Sequence, residues 1–280
     1  MVAEIRARNP DGERVLLFGL SALGLVFLAA TFIPPHGYDL TSYWLANVDY
    51  PTVTDLSGQG PFRYAPAVAL VMAPLRLLPW EALEVLWLGL QLAALWYIGR
   101  RWTLALIIFP PVWLDLVYGN INIMLAAMIV AGFRYPAVWS FALLTKVTPG
   151  IGLIWFAVRR EWKSLAIALG TTAAIVLVSV AIKGLEPWQN WVHFLTTSTA
   201  MTLPEDALPV PLPPRLIVAG LTVGWAGITN RRWLVPVGVV VAMPTLWVIA
   251  LAPLVAIAGI LREQGDDCRA LSVPAVVNAA

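Results

Sequence analysis

The sequence is short of charge, histidine and cysteine, and each shortage excludes something. Only 12% of its 280 residues are Asp, Glu, Lys or Arg, while 60% are hydrophobic and the mean hydropathy is +0.78. A charged share so far below the ~25% of soluble domains rules out an ordinary water-soluble globular protein. The single cysteine, Cys268, excludes an internal disulfide framework and a cysteine-based metal site. Two histidines far apart in sequence, His36 and His193, offer no ligand spacing for zinc. The net charge of +2 does not imply nucleic acid, because membrane proteins keep Lys and Arg to fix their orientation.

What remains is a succession of apolar runs, read as an all-α, polytopic transmembrane helical bundle in the cell membrane. The first run, residues 15–33, follows Arg6, Arg8 and Arg14. Its length exceeds the ~7–15 residues of a signal-peptide core, so it is expected to stay as the first span. The basic flank places the N-terminus in the cytoplasm and the next segment, 34–64, on the extracytoplasmic side. That polar segment is the longest interruption in the first third of the chain. It carries Asp39, Asp49, Asp55 and Arg63 among Tyr38, Tyr43, Trp44, Tyr50 and Tyr64, more chemistry than a connector needs.

Residues 65–78 are apolar but hold Pro66 and Pro74, and are too short to cross ~30 Å of hydrocarbon. They are expected to be re-entrant or interfacial, followed by a span over 80–99 that closes on Arg100-Arg101. Three hairpin-like units follow, over 102–133, 135–158 and 233–261, each interrupted by a polar or proline break and closed by basic residues. The breaks are Tyr118-Gly119-Asn120-Ile121-Asn122, Lys146-Val147-Thr148-Pro149-Gly150 and Met243-Pro244-Thr245. Between the second and third units, 164–182 leads out, 183–214 forms a second outer loop and 216–229 returns. Arg63, Lys146, Lys183 and Arg215 then face outward or lie buried, with every other Lys and Arg on the cytoplasmic side. Broken helices persist in lipid only where protein or water satisfies the freed backbone, so the breaks and outer loops are expected to meet at one outward-facing cavity. Residues 1–262 read as one membrane domain, and 263–280 as a short cytoplasmic tail expected to be disordered.

The order of these elements resembles glycosyltransferase family 87, of the GT-C superfamily, from about residue 15 to 255. The residues that carry the resemblance are Tyr38-Asp39-Leu40-Thr41-Ser42-Tyr43, Phe62-Arg63-Tyr64-Ala65-Pro66, Gly119-Asn120-Ile121-Asn122 after Pro110-Pro111, Lys146-Val147-Thr148-Pro149, and Pro244-Thr245-Leu246-Trp247. The resemblance implies a GT-C-like fold that takes a polyprenyl-phosphate sugar, typically mannose, as donor. It further implies inverting transfer to a glycolipid or polysaccharide hydroxyl on the extracytoplasmic face, with the first-loop acid Asp39 as general base. The chain departs from the family at three places. Asn120 stands where glutamine is usual, Leu212-Pro213-Pro214 replaces an Asn-x-Ser element before Arg215, and Ile249 stands where a histidine usually follows the late tryptophan.

Transfer from a lipid phosphate needs one base for the incoming hydroxyl and cationic or hydrogen-bonding groups for the departing phosphate. Phosphate leaves as an anion, so the second carboxylic acid of a glycosidase is not required. Asp39 supplies the carboxylate, its ordinary alternative being a helix cap or Asx turn after Gly37. Arg63 and Tyr64 are expected to contact the donor, against the alternative of snorkelling to headgroups. Lys146 lies in an apolar run, where a lysine costs ~2.5–3.5 kcal/mol, and is expected either to bind donor phosphate or to pair with Asp115. Asn120 and Asn122 offer amides to sugar hydroxyls or to the broken backbone. Arg215 is a second phosphate candidate. Tyr43, Asp49 and Asp55 are expected on the acceptor side, while Asp115 and His193 stay open between site and structural roles. No cofactor is expected, although the three loop acids leave room for a divalent cation. Two other classes compete: a lipid-carrier flippase or transporter, which also uses broken helices and buried charge, and a catalytically degenerate protein that binds a lipid-linked sugar.

Overall fold

The computed structural model describes residues 10–31, 36–46, 62–197 and 210–272, and every regular element among them is helical. Among the described residues four helices are long and apolar enough to cross a membrane, and a fifth span results if one sharply bent pair counts as one. The protein is therefore an all-α polytopic membrane protein.

Helix α1, Pro10–Ala30, begins five residues ahead of the apolar run, because Asp11 and Glu13 in its first turn suit the positive end of the helix dipole. Its Val15, Phe18 and Val26 point away from the bundle and form lipid-facing surface. The short helix α2, Tyr38–Trp44, gives regular structure to part of what the sequence suggested was a loop. Helix α3, Pro66–Met72, tightens into a 3-10 turn over Ala73–Leu77, short of a span. Pro66 at its start and Pro74 within the tightened turn fit that brevity.

Helix α4, Trp80–Gly99, is a full-length span, and the chain reverses at Arg100, whose φ of 51° breaks the helix. Helix α5, Thr103–Ile107, then packs against α1. Helices α6, Pro110–Tyr118, and α7, Asn122–Gly132, are the two halves of a broken element that bends by 116°. Helix α8, Trp139–Lys146, stops at the second break, from which a 3-10 stretch, Thr148–Leu153, leads into α9, Ile154–Val158. Helix α10, Trp162–Lys183, is the next full span, followed by the short α11, Glu186–Thr197. Helix α12, Leu212–Thr229, returns to α13, Val235–Val241; after the third break come a 3-10 stretch, Val248–Val255, and α14, Ala256–Ser272.

The bundle has two chemically distinct ends. At one, Glu13 of α1 pairs with Arg101, Arg159 donates to Asn230 at 2.9 Å, Arg232 lies over the Phe133 ring and Tyr97 donates to Glu263 at 3.1 Å. This basic end gathers the arginines that close the hairpin-like units. Helix α14 runs unbroken through Glu263 to Ser272, and the Tyr97 bond ties its first charged turn to α4. Arg76, expected on the basic side, instead donates to the carbonyls of Trp44 and Leu45 at 3.2 and 2.8 Å and so belongs to the opposite end. That follows from α3 being too short to carry it across.

Two apolar clusters hold the molecule together. The larger, with Ile98, Ile123, Ile129, Trp139, Trp155 and Val239 at its centre, joins the helices through the middle of the bundle. The smaller, with Leu40, Tyr43, Val68, Leu83, Trp87 and Trp191, joins α2, α3, α4 and α11 at the end opposite the basic one. The smaller cluster carries the site.

Candidate functional site

Asp39 sits in the first turn of α2, and α2 is held at both ends. The Gly37 N–H donates to the Val117 carbonyl at 2.7 Å, and Arg76 takes the two carbonyls at the other terminus. His36 Nδ1 and Glu84 Oε1 lie 2.6 Å apart, bringing the entry to α2 onto the start of α4. Below α2 lies the first break. Gly119 has φ of +68°, the left-handed conformation that glycine adopts without a Cβ penalty, and a Cβ there would come within 2.8 Å of the Leu40 Cβ. The absence of a side chain at Gly119 is what lets α2 rest directly on the break.

From Asp39 a continuous polar chain runs inward. Asn120 Nδ2 donates to Asp39 Oδ2 at 2.7 Å, and Asn120 Oδ1 accepts from the Ile121 N–H at 2.7 Å and from Lys146 Nζ at 3.5 Å. Lys146 Nζ donates a much shorter bond, 2.6 Å, to Asn122 Oδ1. Asn122 Nδ2 in turn donates to Asp115 Oδ1 at 2.9 Å and to the Ile249 carbonyl at 3.3 Å. Asp115 Oδ2 accepts from the Ile123 N–H at 3.0 Å. The first break thus contributes both amides, the second the lysine, and the 3-10 stretch after the third a main-chain carbonyl.

Lys146 reaches this chain because α8 ends on it and Val147 turns the backbone at φ of 54°. A β-branched residue in that region is strained by ~1–3 kcal/mol, a cost the surrounding packing must offset. Asp115 is fully buried and accepts hydrogen bonds at the N-terminus of α7. Asp115 thus accepts hydrogen bonds across the break and is joined to Lys146 through Asn122, with no direct ion pair between the two among the described residues.

Burial displaces the Asp39 carboxyl above its ordinary range, while the Asn120 hydrogen bond and the charges of Lys146 and Arg63 pull the other way. Its Oδ1 takes no hydrogen bond among the described residues. Arg63 is exposed beside the cluster and makes no ion pair among the described residues; its carbonyl accepts from Trp191 Nε1 at 3.2 Å. The next residue, Tyr64, shares a 2.9 Å hydrogen bond with the Tyr43 hydroxyl.

Arg215 and Tyr43, expected at the site, and His193, left open, have other surroundings. Arg215 is 6% exposed and directs its guanidinium to the carbonyls of Val210, Val241, Met243 and Pro244 at 2.7–3.2 Å, so it braces the third break. The freed carbonyls of a broken helix need such a donor, which is why the arginine is held there. Tyr43 is 1% exposed, packed on Trp87 and Tyr64, and so lies behind the site wall rather than on an acceptor-facing surface. His193 is exposed on the face of α11 away from Trp191, and the structure does not bring it to the cluster. Asp49 and Asp55 fall outside the described residues. Among the described residues, no group of three His, Cys, Asp or Glu could hold a metal ion. Sequence reasoning missed Gln91, a buried amide in α4 that bonds to the carbonyls of Asp115 in α6 and Asn120 within the break. The available signal was a lone polar residue on the inward stripe of an otherwise apolar span.

The fold and the cluster define a membrane protein whose polar centre is assembled from helix breaks at one end of the bundle. Residues 62–279 match the model of glycosyltransferase family 87, and the chain belongs to that family. The match starts at Phe62, so the Asp39 helix precedes it. A polyprenol-phosphate-mannose-dependent alpha-(1-2)-phosphatidylinositol mannoside mannosyltransferase of Mycobacterium tuberculosis is 25% identical over 171 residues, covering 48% of this chain and 40% of the relative. A polyprenol-phosphate-mannose-dependent alpha-(1-2)-phosphatidylinositol pentamannoside mannosyltransferase of Mycolicibacterium smegmatis is 26% identical over 157 residues, covering 48% and 38%. The chain therefore spans less than half the length of these relatives. No solved structure matches it.

Proposed function

We propose that this protein transfers a mannosyl group from a polyprenyl-phosphate donor to a hydroxyl of a glycolipid acceptor, with inversion, at the extracytoplasmic face. The observation that carries the reading is the juxtaposition of a half-buried carboxylate, Asp39, with an amide and an ammonium group in one hydrogen-bonded chain. Family membership and the polyprenol-phosphate-mannose dependence of the relatives supply the donor class. The concentration of arginines at the opposite end supports placing the cluster outside, since basic ends stay in the cytoplasm.

In this mechanism Asp39 Oδ1 accepts the proton of the acceptor hydroxyl as that oxygen attacks the anomeric carbon. The bond from that carbon to the phosphate oxygen breaks on the opposite side. Polyprenyl phosphate departs as an anion and needs no proton. Lys146 uses two of its three ammonium protons on Asn120 and Asn122, leaving one for a phosphate oxygen, and Arg63 offers an exposed guanidinium beside it. Tyr64 lines the same edge, and Asn120 orients the base. A positioned carboxylate of this kind contributes ~10²–10⁴-fold, the rest coming from orientation and charge stabilisation.

Ile249 gives a second reading a specific footing. Its side chain is buried and apolar where the family usually has a histidine, as a binding protein without turnover would tolerate. Purified protein in liposomes, offered labelled polyprenyl-phosphate mannose or GDP-mannose with a panel of phosphatidylinositol mannosides, separates the two. Label entering glycolipid from the polyprenyl donor alone supports transfer. Donor binding without product supports the degenerate reading, and transfer from the nucleotide sugar contradicts the donor assignment.

A further inference from the structure

Gln91 lies in α4 on the buried stripe formed by Leu83, Trp87, Leu95 and Ile98. A primary amide in that position is expensive in lipid unless its protons are bonded. Gln91 Nε2 donates to the Asp115 carbonyl at 2.9 Å and to the Asn120 carbonyl at 2.8 Å. The Asp115 carbonyl also closes the local turn by accepting the Asn120 N–H at 3.0 Å. The Asn120 carbonyl has no such local donor among the described residues, so Gln91 fixes the orientation of that peptide. The Asn120 side chain leaves the same residue toward Asp39 and Lys146.

We propose that Gln91 is the positioning residue of this site: by clamping the Asn120 peptide across the helix break, it holds the Asn120 amide against the Asp39 carboxylate. The proposal rests on the reading of Asp39 as the base only for its kinetic consequence; the coupling itself is structural. A loosened Asn120 gives Asp39 a weaker hydrogen bond in its ionised form. Burial, Lys146, Arg63, Asp115, Tyr43 and Tyr64, the other influences on Asp39, remain in place.

The test is a double-mutant cycle of Gln91→Met and Asn120→Ala, read in two ways. The first is the pH dependence of mannosyl transfer in liposomes. The second is labelling of Asp39 by a hydrophobic carbodiimide, to whose central carbon the carboxyl oxygen adds as the carboxyl proton passes to nitrogen, so that only the protonated acid reacts, quantified by peptide mass spectrometry across pH. Gln91→Met is expected to lower kcat about tenfold, the scale of one hydrogen bond to a charged group, with donor KM within about twofold. The Asp39 labelling midpoint is expected to move upward in both single variants, and the double variant to match Asn120→Ala alone. Gln91→Asn, which keeps the donor but is shorter, is expected to fall between wild type and Gln91→Met, and carries the test if Gln91→Met does not fold. An unmoved midpoint in the folded Gln91 variants, or a shift in the double variant equal to the sum of the singles, overturns the proposal. If wild type transfers no sugar, the catalytic reading fails while the labelling cycle still decides the coupling.

Discussion

Removing the Asp115 carboxylate should damage the protein through its architecture before it damages chemistry. Asp115 is fully buried and accepts from the Asn122 amide and the Ile123 N–H at the start of α7. Asp115→Ala leaves the Ile123 N–H unpaired in a low-dielectric interior, at ~1–3 kcal/mol, and leaves the Asn122 amide only its longer bond to the Ile249 carbonyl, so the total lies between about 1 and 6 kcal/mol before relaxation. Asp115→Asn keeps a carbonyl acceptor for one of them and should lose roughly half as much. The assay is equilibrium unfolding in mixed micelles by titration with a denaturing detergent, followed by tryptophan fluorescence. Asp115→Ala should unfold well before Asp115→Asn, and Asp115→Asn before wild type. If the alanine variant unfolds at the wild-type midpoint, water or relaxation already satisfies these donors and the capping argument is wrong.

Other consequences follow from the same geometry. Gly119→Ala combines a left-handed backbone with a Cβ placed 2.8 Å from the Leu40 Cβ, so it should lower thermal stability and release α2, seen as faster hydrogen exchange over residues 38–44. Because burial displaces the Asp39 carboxyl upward and a base must be ionised, activity should rise with pH along an acid limb centred above the ordinary ~3.9 of aspartate. Removing a neighbouring positive charge with Lys146→Met should move that limb further up and weaken donor binding about tenfold or more. Arg215→Met, by contrast, unpairs backbone carbonyls at the third break and should reduce stability with much less effect on donor affinity, measured by binding of a labelled polyprenyl phosphate.

Much of the fold was legible because lipid permits few solutions. The breaks at Gly119, Val147 and Pro244 stand out as polar or proline interruptions in apolar runs, and the structure interrupts its helices at those places. The brevity of 65–78 followed from its two prolines and the length of a span. Proximity between Asp39, Asn120 and Lys146 followed from the requirement that freed backbone groups meet a polar partner. Roles within that cluster were less legible. For Lys146 the sequence leaves donor binding and pairing with Asp115 both open, because it gives charge but not the intervening Asn122. Arg215 reads as a phosphate candidate, and nothing in the chain reveals that α12 begins against the carbonyls of a distant break. Tyr43 reads as an acceptor-side residue of a polar loop, and its burial is not legible because a seven-residue helix leaves little periodicity to detect. Gln91 is hard to detect because one amide barely alters the hydropathy of a twenty-residue span, although its bonds to the Asp115 and Asn120 carbonyls are a structural consequence of that break.

The central claim is that the carboxylate of Asp39, seated on the first helix break, is the base for transfer from a lipid phosphate. Its most direct test is single-turnover transfer from polyprenyl-phosphate mannose to a phosphatidylinositol mannoside by purified wild type and Asp39→Asn at equal donor occupancy. The account predicts a loss of ~10²–10⁴-fold in the rate of transfer with donor binding retained. A variant that transfers within a few-fold of wild type would contradict it.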